Sequence, residues 1–315
     1  MSDKVIRAFA PATVANVGPG FDCFGFAIEG VGDAVEVREW PEAKKRKKIS
    51  LEVRGDGGKL PVKPAKNCAS AVALAMLEES GADFGLKMIL GKGLPLGSGL
   101  GSSGASSAAA AVAVNALLDN RYASEELIRF AALGEQVACG TAHLDNVAPA
   151  ILGGFVLVRQ GEDVQAITVP VPEWWVAVVH PQLELPTRKA RAVIPSQITL
   201  TTMTRNVSNA AALMVALMSN DLELFGRAVM SDMVVEPARA PLITNYKLVK
   251  KAALSAGAAG VSISGAGPSI FAVATDKPRA REIGQAMSAV WNALEISTEV
   301  YVSPLGARGA RIIET

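Results

Sequence analysis

Two hydrophobic periodicities alternate along the chain and predict its secondary structure. Alternating apolar and polar residues predict strands, whereas apolar residues spaced three or four positions apart predict helices. The predicted strands are Val5–Ala10, Ala34–Arg38, Ile49–Val53, Leu86–Leu90, Gly154–Val158, Ala259–Ser264, Ser269–Ala274 and Ser297–Val302. The predicted helices are Asn67–Glu79, Gly104–Leu118, Ser124–Cys139, a short segment after Asp145-Asn146, Asn206–Met218, Leu222–Ser231, Leu242–Ser255 and Pro278–Ala293. Strands alternating with helices near the carboxyl terminus indicate an α+β fold.

The length of the chain and its prolines predict two domains. A chain of 315 residues, half of them apolar, is long for one core and suits two moderate ones. Pro170, Pro172, Pro181 and Pro186 mark a junction in the middle of the sequence. We therefore predict an amino-terminal domain over residues 1–165 and a carboxyl-terminal domain over residues 166–315.

The balance of charges argues against nucleic acid and membranes as partners. The chain has 31 lysines and arginines against 30 aspartates and glutamates, which gives a formal net charge of +1 and no basic footprint. The basic run Lys44–Lys48 is the exception, and we interpret it as a solvated hairpin loop because no aromatic residues interleave it. The most apolar tract, Ala105–Leu118, is shorter than the roughly 20 residues that a membrane span needs.

Cysteine and histidine usage gives no sign of a disulfide framework or a zinc site. The three cysteines are widely spaced and form no CxxC pair, which favours a reducing compartment. The two histidines are too few for a multi-histidine metal centre. A secretory signal has a charged segment followed by an apolar one, and no such pattern precedes Val5–Ala10. We therefore expect a cytoplasmic protein.

A loop rich in glycine and serine, Pro95–Ser103, is the most informative segment. Glycines at 97, 99 and 101 let backbone N–H groups approach a ligand closely. The loop opens a helix, whose first N–H groups lack intrahelical partners and attract anions such as phosphate. Hydroxyls from Ser98, Ser102 and Ser103 add ligands for phosphate or Mg²⁺.

Other interpretations of this loop are weaker. A Walker A loop would end in Gly-Lys-Ser/Thr, and this one ends in Gly101-Ser102-Ser103. The string Gly99–Gly104 matches G-x-G-x-x-G, the basis for a NAD(P)-dependent oxidoreductase. However, Gly91–Leu96 separates the preceding strand from the glycines, and a second helix rather than a strand follows the first. A small-residue loop that only allows close helix packing remains an alternative.

Three motifs resemble one kinase superfamily. The segment Pro95–Ser103 resembles the phosphate-binding motif of the galactokinase–homoserine kinase–mevalonate kinase–phosphomevalonate kinase superfamily. Ala10–Asp22 is similar to its amino-terminal substrate motif, and Ser264–Ser269 is similar to its carboxyl-terminal glycine-rich motif. The resemblance implies an α+β, two-domain small-molecule kinase fold. Its amino-terminal domain would be like the second domain of ribosomal protein S5, and its carboxyl-terminal domain would be ferredoxin-like.

The similarity is closest to the homoserine kinase family. It rests on Asn16–Asp22, His143–Ala150 and Glu236–Ile243, with departures at Leu144 and Gly104, where alanine is common. The resemblance implies transfer of the γ-phosphate of ATP to the hydroxyl of L-homoserine, with Mg²⁺, in threonine biosynthesis. It also implies a homodimer. A mevalonate- or isoprenoid-type kinase and a non-catalytic nucleotide-binding module remain the alternatives.

The resemblance also assigns residues to the nucleotide and its metal ion. Ser103 and Glu135 would form the Mg²⁺ shell, since hydroxyl and carboxylate oxygens suit this hard ion. Asn67 would contact adenine, or else would cap a helix. Lys92 would reach the phosphates or ribose, or else would be a surface lysine. The remaining nucleotide-binding assignments are Pro95, Leu96, Gly97, Ser98, Gly99, Leu100, Gly101, Ser102, Gly104 and Ala105.

The resemblance also assigns residues to the acceptor, an amino acid with a carboxylate and an ammonium group. Arg191 and Arg239 would bind the carboxylate through their planar guanidinium forks. Asn16 and Asp22 would accept from the ammonium group. The residues expected to line the same pocket are His143, Thr187 and Gly265.

The resemblance assigns Asn146, Glu135 and Arg191 to catalysis. Asn146 would position the acceptor hydroxyl. Asp145 would be a general base, as in related kinases, or would only cap the helix that follows. A loose phosphoryl-transfer transition state needs little early deprotonation, so a mechanism without a base is physically acceptable.

Overall fold

The computed structural model describes residues 5–46, 48–161 and 164–314, apart from the side chains of residues 44–46. Its strands are β1 (Val5–Ala15), β2 (Phe24–Trp40), β3 (Ile49–Arg54), β4 (Gly85–Gly91), β5 (Phe155–Arg159), β6 (Gln165–Val169), β7 (Trp175–Pro181), β8 (Gly260–Ile263), β9 (Ile270–Ala274), β10 (Thr298–Pro304) and β11 (Arg311–Glu314). Its α-helices are α1 (Cys68–Ser80), α2 (Ser102–Leu117), α3 (Ser124–Cys139), α4 (Leu144–Leu152), α5 (Thr187–Ala192), α6 (Leu200–Ser219), α7 (Leu222–Val229), α8 (Val235–Arg239), α9 (Tyr246–Ser255) and α10 (Lys277–Asn292).

The first sheet has seven strands and carries helices α1 to α4. Its main path runs β11-β1-β2-β4-β3, and β5 extends it by pairing with both β2 and β6. All pairs are antiparallel except β3 with β4. Helix α2 lies against β1 and β2 and is covered by α1, α3 and α4. Helix α2 is buried on most of its surface. Its many alanines make this possible, because their small side chains let the neighbouring elements pack closely.

The second sheet confirms the predicted ferredoxin-like arrangement. Its strand order is β10-β7-β9-β8, and every pair is antiparallel. Counting only these strands and their flanking helices, the chain runs β-α-β-β-α-β, which is the ferredoxin-like order. Helices α5 to α8 are additional elements between β7 and β8.

The sheets divide the chain differently from the predicted boundary between residues 165 and 166. Strand β6 pairs with β5, and the last strand, β11, pairs with β1, so both belong to the first sheet. One hydrophobic core also joins the sheets, because Val176, Phe271 and Val273 of the second sheet pack into the cluster of the first. The two sheets are therefore joined by a shared hydrophobic core and not only by a linker.

The basic run is not a hairpin loop. Strands β2 and β3 flank it, but both pair with β4 and not with each other. A 3-10 helix covers Pro41–Arg46. Residue 47 and the side chains of residues 44–46 lie outside the described part of the chain.

Several other elements differ from the prediction. Strand β1 continues through Pro11, where the register with β2 shifts and β11 no longer pairs; proline is tolerated where no ladder bond is needed. The predicted helix Leu242–Ser255 is divided into a 3-10 turn at Ala240–Leu242 and helix α9. None of the helices in the described residues combines the length and apolar character that crossing a membrane requires.

Candidate active site

A cavity of about 480 Å³ brings most of the predicted site residues together. Those that line it are Asn16, Asp22, Leu96, Gly97, Ser98, Gly99, Gly101, Ser102, Ser103, Glu135, His143, Asn146, Thr187, Arg239 and Gly265. Asp145 lines it too, together with Ala138, Cys139, Pro186, Arg188 and Ala266. The predicted residues outside this lining are Asn67, Lys92, Pro95, Leu100, Gly104, Ala105 and Arg191.

The glycine-serine loop connects β4 to α2 through three residues in left-handed conformation. Gly97, Gly99 and Gly101 have φ values of 63°, 77° and 67°. Such angles favour glycine because a Cβ would crowd the backbone. The loop delivers Ser102 and Ser103 to the first turn of α2, where backbone N–H groups are free of intrahelical bonds. The arrangement can receive an anionic group.

The carboxyl-terminal motif holds this loop in place from behind. The Ser264 hydroxyl donates to the carbonyl of Gly99 at 2.8 Å, and the Ser269 hydroxyl donates to that of Ser98 at 2.7 Å. A Cβ on Gly99 would lie 2.4 Å from the Ser264 carbonyl oxygen and 2.7 Å from that of Gly267. Two motifs about 165 residues apart therefore form one structural unit.

We expect Gly99→Ala to weaken ATP binding as well as stability. The positive φ costs about 1–3 kcal/mol for a residue with a Cβ, and the close backbone contacts force the loop to move. Gly57→Ala is the matched control, because Gly57 has a φ of 63° and open space around its Cβ position. Urea unfolding and ATP titration of both variants check this. Unchanged ATP affinity in a folded Gly99→Ala variant would contradict the assignment of this loop to phosphate binding.

Lys92 lies outside the cavity lining and its side chain is buried, so the surface-lysine alternative is wrong, whereas the nucleotide contact stays a prediction. Its side chain is 2% exposed and forms an ion pair with the fully buried Asp33. Its ammonium also donates to both Ser102 oxygens and to the Ser106 hydroxyl. Asp33 accepts from the backbone N–H groups of Gly93 and Leu94 at 3.0 and 3.1 Å. The pair fixes the loop from beneath.

Several loop residues point away from the cavity. The Leu100 side chain is buried in the core, and the Ala105 N–H donates to the Gly101 carbonyl at 2.8 Å, so neither group is available to a phosphate. Gly104 faces Asn146, whose Cβ would lie 3.3 Å from a Cβ at this position. Leu100 and Ala105 do not line the cavity, and their nucleotide assignments stay predictions.

Asn67 occupies the helix-capping position. Its side-chain oxygen accepts from the N–H of Ala69 at 3.0 Å at the start of α1, and its amide group donates to the Pro61 carbonyl at 3.1 Å. The residue is buried. The adenine contact stays a prediction, whereas the capping alternative is confirmed.

Glu135 lines the cavity and has an unsatisfied carboxylate oxygen. The residue is 2% exposed, and its Oε1 is buried without a hydrogen-bond partner within the described residues. Burial raises the pKa of this carboxyl to about 7, opposed by a hydrogen bond from Ser103. A buried carboxylate oxygen next to a serine hydroxyl suits a hard divalent cation. Ser103 and Glu135 therefore fit the predicted Mg²⁺ shell.

Arg239 lines the cavity and is 3% exposed. Its Nε donates to the Ala190 carbonyl at 3.2 Å and its Nη1 to the Gly265 carbonyl at 2.8 Å. In the described part of the chain its Nη2 has no hydrogen-bond partner. Burial lowers the pKa of this guanidinium to about 10, which leaves it protonated at neutral pH. Asn16 donates to the same Gly265 carbonyl at 2.9 Å.

The second predicted carboxylate-binding arginine, Arg191, is paired with an acid. Its Nη2 donates to Asp22 Oδ2 at 2.7 Å, and both side chains are about a third exposed. The Phe21 ring lies 5.1 Å from the Arg191 guanidinium and 5.5 Å from that of Arg239. Both guanidinium groups thus lie near the Phe21 ring, and Arg191 itself does not line the cavity.

Asp145 and Asn146 lie in the first turn of α4, and both line the cavity. His143 is the N-cap, so the alternative that Asp145 caps the helix is wrong. Asp145 instead accepts from the Asn16 N–H at 3.2 Å, and its other oxygen is buried without a partner within the described residues. Burial, and then the charge of Asp22, raise the pKa of Asp145 to about 7.

Thr13 and Asp33 are the positioning residues that the sequence analysis missed. Thr13 donates to Asn146 Oδ1 at 2.8 Å, and its own N–H binds the Leu100 carbonyl at 3.1 Å. Its place inside the Ala10–Asp22 motif was the available signal. Asp33 had no local signal, because it lies on a long strand and its partners come later in the chain.

Comparison with known proteins identifies the family. The models described as "GHMP kinases N terminal domain" and "GHMP kinases C terminal" match residues 67–154 and 213–293. A homoserine kinase of Chlorobium phaeobacteroides is 46% identical over 98% of this chain and all of its own length. One from Arabidopsis thaliana is 43% identical, over 98% of this chain and 85% of its own length.

A solved structure agrees with these relatives. The crystal structure of homoserine kinase from Cytophaga hutchinsonii superposes with a TM-score of 0.94 at 45% identity, covering 99% of this chain and 98% of that one. Coverage of 99% of this chain includes both sheets. This chain belongs to the homoserine kinase family of the GHMP kinases, and it is an ATP-dependent kinase that acts on a hydroxyl group.

Proposed function

We propose that this enzyme transfers the γ-phosphate of MgATP to the hydroxyl of L-homoserine and releases O-phospho-L-homoserine and ADP. The observation that carries the proposal is one cavity with an anion-binding loop at one end and a buried, partly unpartnered arginine at the other. The names of the relatives support the choice of homoserine. The product would serve threonine biosynthesis.

The phosphate end would use the loop and the start of α2. Backbone N–H groups around Gly99 and Gly101 would face the phosphates, and Ser103 and Glu135 would hold Mg²⁺. When bound, this ion would neutralise charge on the phosphates. The protein contributes alignment, since Ser264 and the Asp33–Lys92 pair fix the loop from two sides.

The acceptor end would bind both charges of a zwitterion. Nη2 of Arg239 is free for a carboxylate, and Arg191 could add a second contact if the substrate carboxylate takes the place of Asp22. Asp22 and the unpartnered oxygen of Asp145 offer acceptors for an ammonium group. Mevalonate carries a carboxylate but no ammonium, so this acidic pair favours an amino acid.

An acceptor panel tests the proposal. ADP release would be measured with L-homoserine, mevalonate and L-homoserine lacking its amino group. We expect strong turnover only with L-homoserine. Turnover of mevalonate with none of homoserine would overturn the substrate, and ATP binding without any turnover would favour a nucleotide-binding module.

Arg239→Lys should raise the KM for homoserine about tenfold and leave that for ATP nearly unchanged. Lysine keeps the charge but loses the planar fork, and only the acceptor carries a carboxylate. Arg188→Lys is the matched control, since Arg188 also lines the cavity but is exposed. Steady-state kinetics with each substrate varied check this. Equal effects on both substrates would indicate a structural role for Arg239.

The Mg²⁺ requirement should depend on pH through Glu135. Its pKa of about 7 means that the carboxyl is mostly protonated at pH 6 and mostly ionised at pH 8. The ionised fraction, and hence the Mg²⁺ affinity, should rise about tenfold over this range. Activity would be titrated with Mg²⁺ at both pH values. In Glu135→Gln the Mg²⁺ affinity should change with pH only through ionisation of the nucleotide phosphates. If the variant showed the same pH dependence of Mg²⁺ affinity as the wild type, Glu135 would be excluded as the ligand.

A cytoplasmic location and a homodimer complete the proposal. The three cysteines are free, which fits a reducing compartment. A biosynthetic reaction that consumes ATP fits the cytoplasm as well. Sedimentation of the purified protein would measure the oligomeric state directly.

A further inference from the structure

Three side chains of different chemistry converge beside the phosphate loop. Glu135 and Cys139 lie four residues apart on α3, and therefore on one face of the helix. The helix ends at Gly140, whose φ of 77° turns the chain back. His143 follows at the start of α4. One ligand atom from each of Glu135, Cys139 and His143 lies within 4.8 Å of the other two.

Glu135 and His143 offer ligand atoms without a bound proton, whereas burial raises the pKa of the Cys139 thiol to about 11, so a metal ion must displace that proton. Glu135 lines the cavity, and its Oε1 is a buried acceptor with no hydrogen-bond partner within the described residues. Burial and then the charge of Arg191 lower the pKa of His143, which keeps the imidazole neutral and able to bind a metal. Cys139 Sγ lies 3.8 Å from Ser103 Oγ, and so at the edge of the expected Mg²⁺ shell.

We propose that Glu135, Cys139 and His143 form a binding site for a thiophilic divalent cation, with Zn²⁺ as the representative ion. Carboxylate, thiolate and imidazole are the three protein ligands that zinc uses, and a fourth position can be filled by water. Side-chain rotation can close the present separations to the shorter spacing of a tetrahedral shell. On binding, the Cys139 S–H bond breaks, an S–Zn bond forms, and the proton passes to solvent.

The two ions would use different ligands of the same pocket. Mg²⁺ selects oxygen ligands and has no use for sulfur or imidazole, whereas Zn²⁺ binds both. Because Glu135 belongs to both sets, occupancy by zinc excludes the Mg²⁺ arrangement. The site therefore acts as an inhibitory site. The three residues are spaced i, i+4 and i+8, which is not a recognised zinc motif, so no sequence pattern points to this site.

Zinc binding would first be measured on the full-length enzyme without nucleotide, by competition with a chromogenic zinc chelator. We expect one ion per chain. Cys139→Ala and His143→Ala should each weaken binding by at least about 10–100-fold, the cost of losing even an outer-shell partner. Cys23→Ala, which removes the other partly exposed thiol, should bind normally. With Co²⁺ as the probe, a thiolate-to-metal charge-transfer band should appear in the wild type and vanish in Cys139→Ala.

The binding readout is independent of the proposed kinase reaction, whereas inhibition rests on it. With homoserine as acceptor, Zn²⁺ should inhibit in competition with MgATP, and a chelator should restore activity. No zinc binding would overturn the proposal. Binding that persists in Cys139→Ala would also overturn it, and would locate the ion at the neighbouring Asp22, His143 and Asp145. Equal melting temperatures of wild type and Cys139→Ala would show that loss of binding is not loss of folding.

Discussion

Asn146→Ala is expected to lower kcat about 10²-fold, the cost of misplacing a reacting group by about 1 Å. Thr13 donates to Asn146 Oδ1 at 2.8 Å, which fixes the side chain and directs its NH₂ group away from Thr13. We expect that NH₂ group to position the acceptor hydroxyl. The loss should appear in kcat at all pH values, because no titrating group is removed. Thr13→Val should show a smaller loss of the same kind.

Asp145→Asn is the comparison that separates positioning from base catalysis. The pKa of about 7 and the unpartnered oxygen give Asp145 the properties of a general base. Asparagine can still accept from the Asn16 N–H, and the transfer needs little early deprotonation. We therefore expect Asp145→Asn to lose less kcat than Asn146→Ala. A loss of about 10²–10⁴-fold, with disappearance of a kinetic pKa near 7 and an unchanged melting temperature, would make Asp145 the base.

The sequence was sufficient where local pattern determines structure. Helix α3 was predicted with its bounds, Ser124–Cys139, because a full amphipathic stripe and a terminal glycine define it. The phosphate loop followed from its glycines, whose positive φ values few other residues adopt. These features depend on neighbours in the chain, and a single sequence displays them directly.

The rest depends on contacts between distant segments. Helix α5 escaped prediction because its six residues carry three basic side chains and no apolar stripe, yet it supplies Thr187 and Arg191. The Asp22–Arg191 pair joins residues 169 positions apart. The burial of Lys92 could not be predicted either, because its partner Asp33 lies 59 residues away in the chain. Motif resemblance found the site residues, but only the packed structure separates those that face a ligand from those that support the loop.

Asp33→Asn is expected to lower the free energy of unfolding by about 3–5 kcal/mol, the cost of leaving one member of a buried pair without its partner. Asp33 is fully buried and Lys92 is 2% exposed, so water cannot replace the lost charge. Asparagine has the same shape, but it supplies only one acceptor oxygen. Asp33 now accepts from Lys92, from Ser106 and from two backbone N–H groups. The NH₂ group of the new asparagine would face groups that are themselves hydrogen-bond donors.

A double variant and a surface control define the origin of this loss. Replacing Lys92 by methionine in the Asp33→Asn background removes the uncompensated ammonium, so the double variant should regain part of the lost stability. The exposed pair of Glu223 and Arg227 is the control, and Glu223→Gln should change the unfolding free energy far less. Urea unfolding of the four proteins with ATP absent measures the effect. Because Ser102 is also bound by Lys92, ATP affinity should fall in Asp33→Asn even at temperatures where the protein is folded. If Asp33→Asn were no more destabilising than Glu223→Gln, the buried pair would not be what holds the phosphate loop in place.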